Sequence, residues 1–131
     1  MRTAPVDESA EAAAIVSTVR DYFEGWFEGD AARMRRALHP GLAKRALTRD
    51  RDADALDTDT AQEMIDATEA GVGTRHPPKK RHFDVDIEDV YGTIANVTVR
   101  SDIYREYLSL VRTENGWKIV NALWQFVDND G

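Results

Sequence analysis

The stretch Asn115-Gly116-Trp117-Lys118-Ile119-Val120-Asn121-Ala122-Leu123-Trp124-Gln125-Phe126 combines a turn signal with a strand. Asn-Gly between two hydrophobic runs is the strongest short-range signal for a hairpin with a two-residue loop. The residues that follow are apolar on both faces of a strand, which is typical of a strand inside a sheet rather than at its edge. We therefore expect this strand to form the back wall of a small cavity.

The composition indicates one acidic domain. The chain has 131 residues, 42% hydrophobic residues and a formal net charge of −7. We predict a single domain over residues 1–131, with a frayed tail at 1–6. The acidic balance disfavours nucleic acid and anionic membranes as main partners, because both require a basic surface. No cysteine, signal peptide or membrane-spanning run is found, so we expect a cytoplasmic protein without disulfides.

The first half of the chain carries three helical patterns. Apolar residues repeat at spacings of three and four between Ile15 and Phe27, which predicts a long amphipathic helix with one buried face. Asp30 can cap a second, shorter helix, and His39-Pro40 is expected to close it. Residues 58–60 offer several capping oxygens for a third helix.

The second half alternates apolar and polar residues with the period of a strand. Two such strands, 83–88 and 95–100, are separated by a turn at Gly92, and a third, 104–113, leads into the hairpin. The charged segment 48–57 has no periodicity and is predicted to be a loop. Helices followed by an antiparallel meander form an α+β layout, with the helices on one face of the sheet.

Several short motifs in this order resemble one known superfamily. They are Tyr22-Phe23-Glu24-Gly25-Trp26 with Gly29-Asp30, Leu38-His39-Pro40, Met64-Ile65, Tyr104, Tyr107-Leu108 and Gly116-Trp117-Lys118-Ile119-Val120-Asn121. Together they resemble the nuclear transport factor 2-like superfamily, in its lumazine-binding branch close to the SnoaL-like cyclases. The resemblance implies a cystatin-like α+β cone in which N-terminal helices pack in a curved antiparallel sheet. It also implies a pocket at the open end and often a homodimer through the outer sheet face, but no single chemistry, because one fold hosts many functions.

A two-residue loop at Asn115-Gly116 predicts the register of the last two strands. It gives the cavity a set of polar groups, namely Tyr104, Glu106, Asn121 and Gln125. The opposite face then carries residues that we expect a partner subunit to cover, namely Tyr107, Val111, Val120 and Trp124. A bulge of one residue would reverse this assignment.

Glu106 is the candidate general acid or base, because a carboxyl group in an apolar cavity can exchange protons near neutrality. The alternative is a surface position for Glu106, paired with an arginine or lysine. His39 is a candidate proton shuttle at the pocket mouth, or alternatively a capping histidine. Tyr22, Trp26 and Met64 are candidate ligand contacts, or alternatively part of the core.

The sequence predicts neither a metal site nor a cofactor. His39, His76 and His82 lack the spacing of metal ligands, and the motif of a phosphate loop is absent. Three functions remain open. The first is binding of a small, partly apolar molecule. The second is a cofactor-independent proton-transfer enzyme, an isomerase, dehydratase or cyclase that uses Glu106 and His39, and the third is a protein-interaction module.

Overall fold

The computed structural model describes residues 5–47 and 55–127, which form three α-helices and six β-strands. The helices are α1 (Pro5–Glu28), α2 (Ala31–Ala37) and α3 (Ala61–Glu69). The strands are β1 (Leu38–Leu47), β2 (Leu56–Asp59), β3 (Phe83–Tyr91), β4 (Ile94–Ser101), β5 (Tyr104–Thr113) and β6 (Gly116–Phe126). Two 3-10 turns, Val72–Arg75 and Pro78–Lys80, connect α3 to β3.

The strands form one curved, unclosed sheet in the order β2-β1-β6-β5-β4-β3. Every neighbouring pair is antiparallel except β1 and β6, which run parallel. The three helices pack against this sheet, which confirms the predicted α+β cone. The sheet is mixed rather than purely antiparallel, because β1 leaves α2 and joins the open side of the C-terminal strand.

The core lies between the helices and the inner face of the sheet. Helix α1 buries Ile15, Val19 and Phe23, as its spacing predicts, and β4 and β5 bury residues such as Val97 and Leu108 in the same cluster. Each such side chain contributes about 1.5–3 kcal/mol through removal of apolar surface from water. Within residues 5–47 and 55–127, no helix is long and apolar enough to cross a membrane.

The predicted caps are present at two helices. The side chain of Asp30 accepts a hydrogen bond of 3.1 Å from the backbone N–H of Arg33 at the start of α2. Thr60 and Glu63 exchange side-chain and backbone hydrogen bonds at the start of α3 and so form a capping box. The predicted closure of α2 at His39-Pro40 is two residues late, because α2 ends at Ala37 and these residues belong to β1.

Two predicted irregular segments differ in the structure. Helix α1 already begins at Pro5, so 5–6 are helical, and the rest of the predicted tail lies outside the described residues. Of the predicted loop, 48–54 also lie outside them, but Leu56–Asp59 form β2 and pair with the end of β1. This short edge strand is mostly exposed, so its sequence carries no burial pattern that would have revealed it.

The register of the β5–β6 hairpin differs from the predicted one. Thr113 pairs with Gly116, so the two-residue loop is Glu114-Asn115, and Gly116 has a φ of 100° that a side chain would strain. A bulge at Val120 then shifts the pairing. Beyond it Glu106 lies opposite Trp124 rather than Gln125. The bulge therefore reverses the predicted faces of β6 from residue 121 onward.

Candidate functional site

Helices α1 and α3, the turn Val72–Arg75 and the inner face of the sheet surround a cavity of about 380 Å³. This volume lies in the range of small-molecule sites, about 300–1,000 Å³. Most of the lining is aromatic or apolar, with a few polar groups among the rings. The lining residues are Tyr22, Phe23, Trp26, Lys44, Asp59, Met64, Val72, Arg75, His76, Tyr104, Glu106, Trp124 and Phe126.

Three buried polar side chains from α1, β1 and β5 meet in the cavity. Lys44 Nζ donates a hydrogen bond of 2.6 Å to the hydroxyl of Tyr22, which in turn donates one of 2.8 Å to Glu106 Oε1. Lys44 Nζ also lies 3.9 Å from Glu106 Oε2. The exposed fractions of Lys44, Tyr22 and Glu106 are 7%, 3% and 3%. We call this arrangement the Lys44–Tyr22–Glu106 chain.

The cost of burying these three polar side chains is compensated by the opposite charges of Lys44 and Glu106 and by aromatic rings around Lys44. The ammonium group of Lys44 lies over the rings of Tyr22, Trp26 and Trp124, at 5.1, 5.9 and 5.3 Å from their centroids. Contacts of this kind stabilise a desolvated cation. Burial and the neighbouring charge of Glu106 raise the pKa of Tyr22 well above its usual range. Tyr22 is therefore a neutral phenol, and its hydroxyl donates a hydrogen bond to Glu106.

A second polar group surrounds the hydroxyl of Tyr104. It accepts a hydrogen bond of 3.1 Å from Trp26 Nε1 and lies 3.0 Å from His76 Nε2. Because the Tyr104 proton has no other acceptor in the described part of the chain, Tyr104 donates it to an unprotonated His76 Nε2. Burial, together with the positive charge of Arg81, lowers the pKa of His76, which agrees with a neutral imidazole.

The turn Val72–Arg75 is held against the helices by close packing. A side chain at Gly73 would lie 2.3 Å from the backbone oxygen of Trp26, so only glycine allows this approach. Arg81 donates hydrogen bonds to the backbone oxygens of Thr74 and His76 and so fixes the end of the turn. This packing positions Val72, Arg75 and His76 in the cavity lining.

Asp59 and Arg75 bring the remaining charges of the cavity. Burial raises the pKa of Asp59, and the positive charge of Lys44 opposes that shift. The cavity thus combines two carboxyl groups, from Asp59 and Glu106, with two basic side chains, from Lys44 and Arg75. It has no large excess of either charge.

Residues 10–125 match the family described as "Putative lumazine-binding". The chain belongs to this family. The match spans most of the chain and confirms the resemblance derived from the sequence motifs. A search of curated proteins found none that matches the chain.

Solved structures show which folds this family member is similar to. A protein of unknown function from Shewanella baltica, described as NTF2-like, has 22% identity and a TM-score of 0.74, with 98% of this chain and 100% of that chain covered. The hexachlorocyclohexane dehydrochlorinase LinA-type3 from Novosphingobium barchaimii has 14% identity and a TM-score of 0.64, with 95% and 92% covered. A protein from Shewanella frigidimarina described as a putative ketosteroid isomerase has 15% identity and a TM-score of 0.56, with 86% and 94% covered. At these identities the likeness shows the shared fold.

In this lumazine-binding family member, the structure brings five of the sequence-predicted site residues together. Tyr22, Trp26, Met64, Tyr104 and Glu106 all line the cavity. Tyr22 and Glu106 are joined directly by a hydrogen bond, which excludes the alternative of a surface position for Glu106. Their roles in binding or chemistry stay predictions.

Other predicted cavity residues lie elsewhere. Asn121 and Gln125 are exposed on the outer face of the sheet, because the bulge at Val120 reverses the side chains that follow it. His39 lies in β1, and its Nδ1 accepts a hydrogen bond of 2.9 Å from the backbone N–H of Gly41. His39 is not among the residues that line the cavity, so the structure does not bring it together with Glu106 in one pocket.

The same bulge divides the four residues predicted for the dimer interface. Tyr107 is exposed on the outer face, as predicted. Trp124 lines the cavity instead, so its assignment to the outer face is wrong. Val111 and Val120 are half-buried, and Val120 lies at the bulge itself.

Eight lining residues were not predicted from the sequence, and four of them are ionisable, namely Lys44, Asp59, Arg75 and His76. Lys44 had a usable signal, because it lies midway between Leu42 and Ala46, which are buried on the same face of β1. Asp59 lies at the end of an exposed edge strand. Arg75 and His76 lie in an irregular connection, where no periodicity indicates the direction of a side chain.

Proposed function

We propose that this protein binds a small, partly apolar, planar molecule in the cavity between the helices and the sheet. The observation that carries the proposal is a cavity of about 380 Å³ in which aromatic rings surround the buried Lys44–Tyr22–Glu106 chain. A mostly apolar lining with a few convergent polar groups is the usual composition of a small-molecule site. The family description supports the same class of ligand.

The rings favour a planar ligand. Tyr104 contacts Trp124 and Phe126 with centroid distances of 5.7 and 5.6 Å, and the Trp124 and Phe126 rings are 5.0 Å apart. Such a cluster offers both faces and edges to a flat conjugated molecule, which gains stacking contacts beyond the burial of area.

A fluorescence titration with lumazine tests this proposal. Trp26 and Trp124 line the cavity, so we expect saturable quenching of tryptophan emission. Val72→Trp fills the cavity and should abolish the saturable signal, whereas Asn121→Ala on the outer face should leave it unchanged. Equal binding by the wild type and Val72→Trp would contradict the proposed location, and no binding of lumazine or of other planar heterocycles would contradict the function.

A second candidate is a proton-transfer enzyme that uses Glu106 as its base. The specific observation is that Tyr22 bridges Lys44 and Glu106 through two hydrogen bonds inside an apolar cavity. A proton can therefore pass between these three side chains. Structural neighbours described as a dehydrochlorinase and a putative ketosteroid isomerase support this class. His39 lies outside the cavity lining and takes no part in this transfer.

Proton transfer can be tested with 2-acetylnaphthalene in D₂O. Nuclear magnetic resonance would follow deuterium entering the methyl group beside the carbonyl. We expect faster exchange with the wild type than with Glu106→Gln. A rate equal to that of buffer alone would contradict the enzyme proposal and leave the binding proposal intact.

We also propose that the outer sheet face forms a homodimer. Leu47, Tyr107 and Leu123 have exposed fractions of 56%, 53% and 54%, and they line one groove that Trp124 and Phe126 also reach. Apolar side chains grouped in this way are typical of an interaction surface. A second copy of the chain would cover them through a symmetric contact of the same face. A different protein on this face would correspond to the third function considered from the sequence.

A further inference from the structure

The ammonium group of Lys44 has hydrogen-bonding capacity left inside the cavity. Among the described residues its Nζ makes one hydrogen bond, to Tyr22, while the nearest oxygen of Glu106 at 3.9 Å is beyond hydrogen-bond distance. An ammonium group has three N–H donors. Because Lys44 is 93% buried and lines the cavity, these donors are best satisfied by a group that enters the cavity.

The rings around Lys44 define where that group would lie. Nζ is located over the ring faces of Tyr22, Trp26 and Trp124. A planar ligand that packs against Trp26 and Trp124 would bring its edge to the same nitrogen. An acceptor atom on that edge would then meet the free N–H groups of Lys44.

The charges of the cavity favour a neutral acceptor over an anion. The carboxyl groups of Glu106 and Asp59 already balance the two basic groups of the cavity, Lys44 and Arg75. An anionic ligand at Lys44 would lie close to the carboxylate of Glu106. His76 adds no positive charge while its Nε2 accepts the Tyr104 proton. A carbonyl oxygen accepts a hydrogen bond from Lys44 without this repulsion, and it keeps the Lys44–Glu106 ion pair in place.

We propose that Lys44 is the ligand-recognition residue of this cavity, and that the ligand is a neutral planar compound whose conjugated carbonyl oxygen accepts a hydrogen bond from Lys44 Nζ. This inference rests on the proposed binding function, since it names the ligand class of the same cavity. Glu106 and Tyr22 then hold the ammonium group in position.

Three probes of similar size separate the possibilities. They are 2-acetylnaphthalene, which has a neutral carbonyl group, 2-ethylnaphthalene, which has no oxygen, and 2-naphthoate, which is anionic. Their affinities would be measured by tryptophan fluorescence for the wild type and for Lys44→Met, which keeps the length of the side chain but removes the donor. A hydrogen bond from a charged donor corresponds to about tenfold to a hundredfold in affinity. We therefore expect the ratio of ketone to hydrocarbon affinity to fall at least about tenfold in Lys44→Met.

Removing Lys44 alone leaves Glu106 unpaired, so a second comparison guards against misfolding. Glu106→Gln keeps Lys44, whereas the double variant Lys44→Met with Glu106→Gln removes it without leaving a buried charge. The ratio of ketone to hydrocarbon affinity should be at least about tenfold lower in the double variant than in Glu106→Gln. Lys118→Met, on the half-buried lysine of β6 that does not line the cavity, should leave the ratio unchanged.

The outcomes distinguish this inference from the function on which it rests. If the probes bind with the same ketone-to-hydrocarbon ratio with and without Lys44, its recognition role is overturned while binding in the cavity stands. If 2-naphthoate binds the wild type more tightly than the ketone does, the neutral ligand class is overturned. If none of the three probes binds but lumazine does, this inference fails while the binding function stands, and if neither lumazine nor any probe binds, both fail together.

Discussion

The Lys44–Tyr22–Glu106 chain is the residue-scale feature on which the candidate site depends. It contains a cation and an anion that are both nearly inaccessible to water. A buried pair of this kind adds little net stability compared with apolar residues, but loss of one partner leaves an uncompensated charge. A single substitution at Lys44 or Glu106 should therefore destabilise the cavity.

Lys44→Met should lower the free energy of unfolding by about 3 kcal/mol, because Glu106 loses its counter-charge in a buried position. Urea denaturation at pH 7 would measure the change. Adding Glu106→Gln to Lys44→Met should restore part of the loss, since the second substitution removes the unpaired charge. A single variant as stable as the wild type would show that the pair does not carry this energy.

His76 should make stability depend on pH. Its pKa is lowered in the folded protein from the ordinary value of 6.5, so below 6.5 the unfolded chain binds more protons than the folded one. Stability should therefore fall as the pH drops through 6.5 towards the lowered pKa. Protonation also removes the acceptor of the Tyr104 hydrogen bond.

Urea denaturation between pH 5 and 8 measures this effect. His76→Gln should show a shallower loss of stability on acidification than the wild type. His82→Gln is the matched control, because His82 is exposed and contacts Asp84 at the surface. If both variants follow the wild-type curve, the proposed neutral state of His76 is wrong.

At the scale of elements, the bulge in β6 decides which residues face the cavity. Before Val120, Ile119 is buried on the inner face, and after it the inner positions are Ala122 and Trp124. Compared with a regular strand of the same sequence, the bulge therefore places Trp124 in the cavity and Asn121 outside it. The bulge is accordingly part of the construction of the site.

Deleting Leu123 should turn Trp124 away from the cavity, because Trp124 then takes the place of Leu123 opposite Tyr107 on the outer face. We expect a loss of about 3 kcal/mol or more, comparable to truncating a large aromatic side chain, together with the loss of lumazine binding. Urea denaturation and near-ultraviolet circular dichroism would measure it. Deleting Val120 is the matched control, because it removes the extra residue of the bulge and leaves Asn121 opposite Ser109 and Trp124 opposite Glu106. A Leu123 deletion that keeps wild-type stability and binding, or a Val120 deletion that costs as much as the Leu123 deletion, would contradict the role of the bulge.

At the scale of the whole molecule, the sheet separates two apolar surfaces. The inner face packs against the helices and lines the cavity, while the outer face exposes Leu47, Tyr107 and Leu123. An outer face with these side chains fits the proposed homodimer, in which each subunit would keep its own cavity on the opposite face of the sheet.

Leu123→Glu should dissociate the dimer, because it places a charge at the centre of an apolar contact. Sedimentation equilibrium would show dimers for the wild type at micromolar concentration and monomers for the variant. The unfolding free energy of the isolated subunit should change by less than about 0.5 kcal/mol, since Leu123 is exposed there. Gln62→Glu, at an exposed position of α3, is the control. A monomeric wild type would overturn the dimer.

Local patterns in the sequence determined the fold class and the family. The spacing of Ile15, Val19 and Phe23 predicts a helix with one buried face, and the Thr60–Glu63 capping box marks the start of α3. These signals are local, because periodicity and capping involve residues within one turn or a few positions. They were enough to place Tyr22 and Glu106 on surfaces that meet.

The tertiary structure alone decided which face of β6 lines the cavity and which charges accompany Glu106. Both faces of β6 are apolar, so no pattern in the sequence marked the bulge at Val120, and the side chains beyond it were assigned to the wrong face. Lys44 and Glu106 are 62 positions apart in the numbering and meet only because β1 pairs in parallel with β6, beside β5. Long-range pairing of this kind is set by the packing of the whole chain, and that packing creates the site.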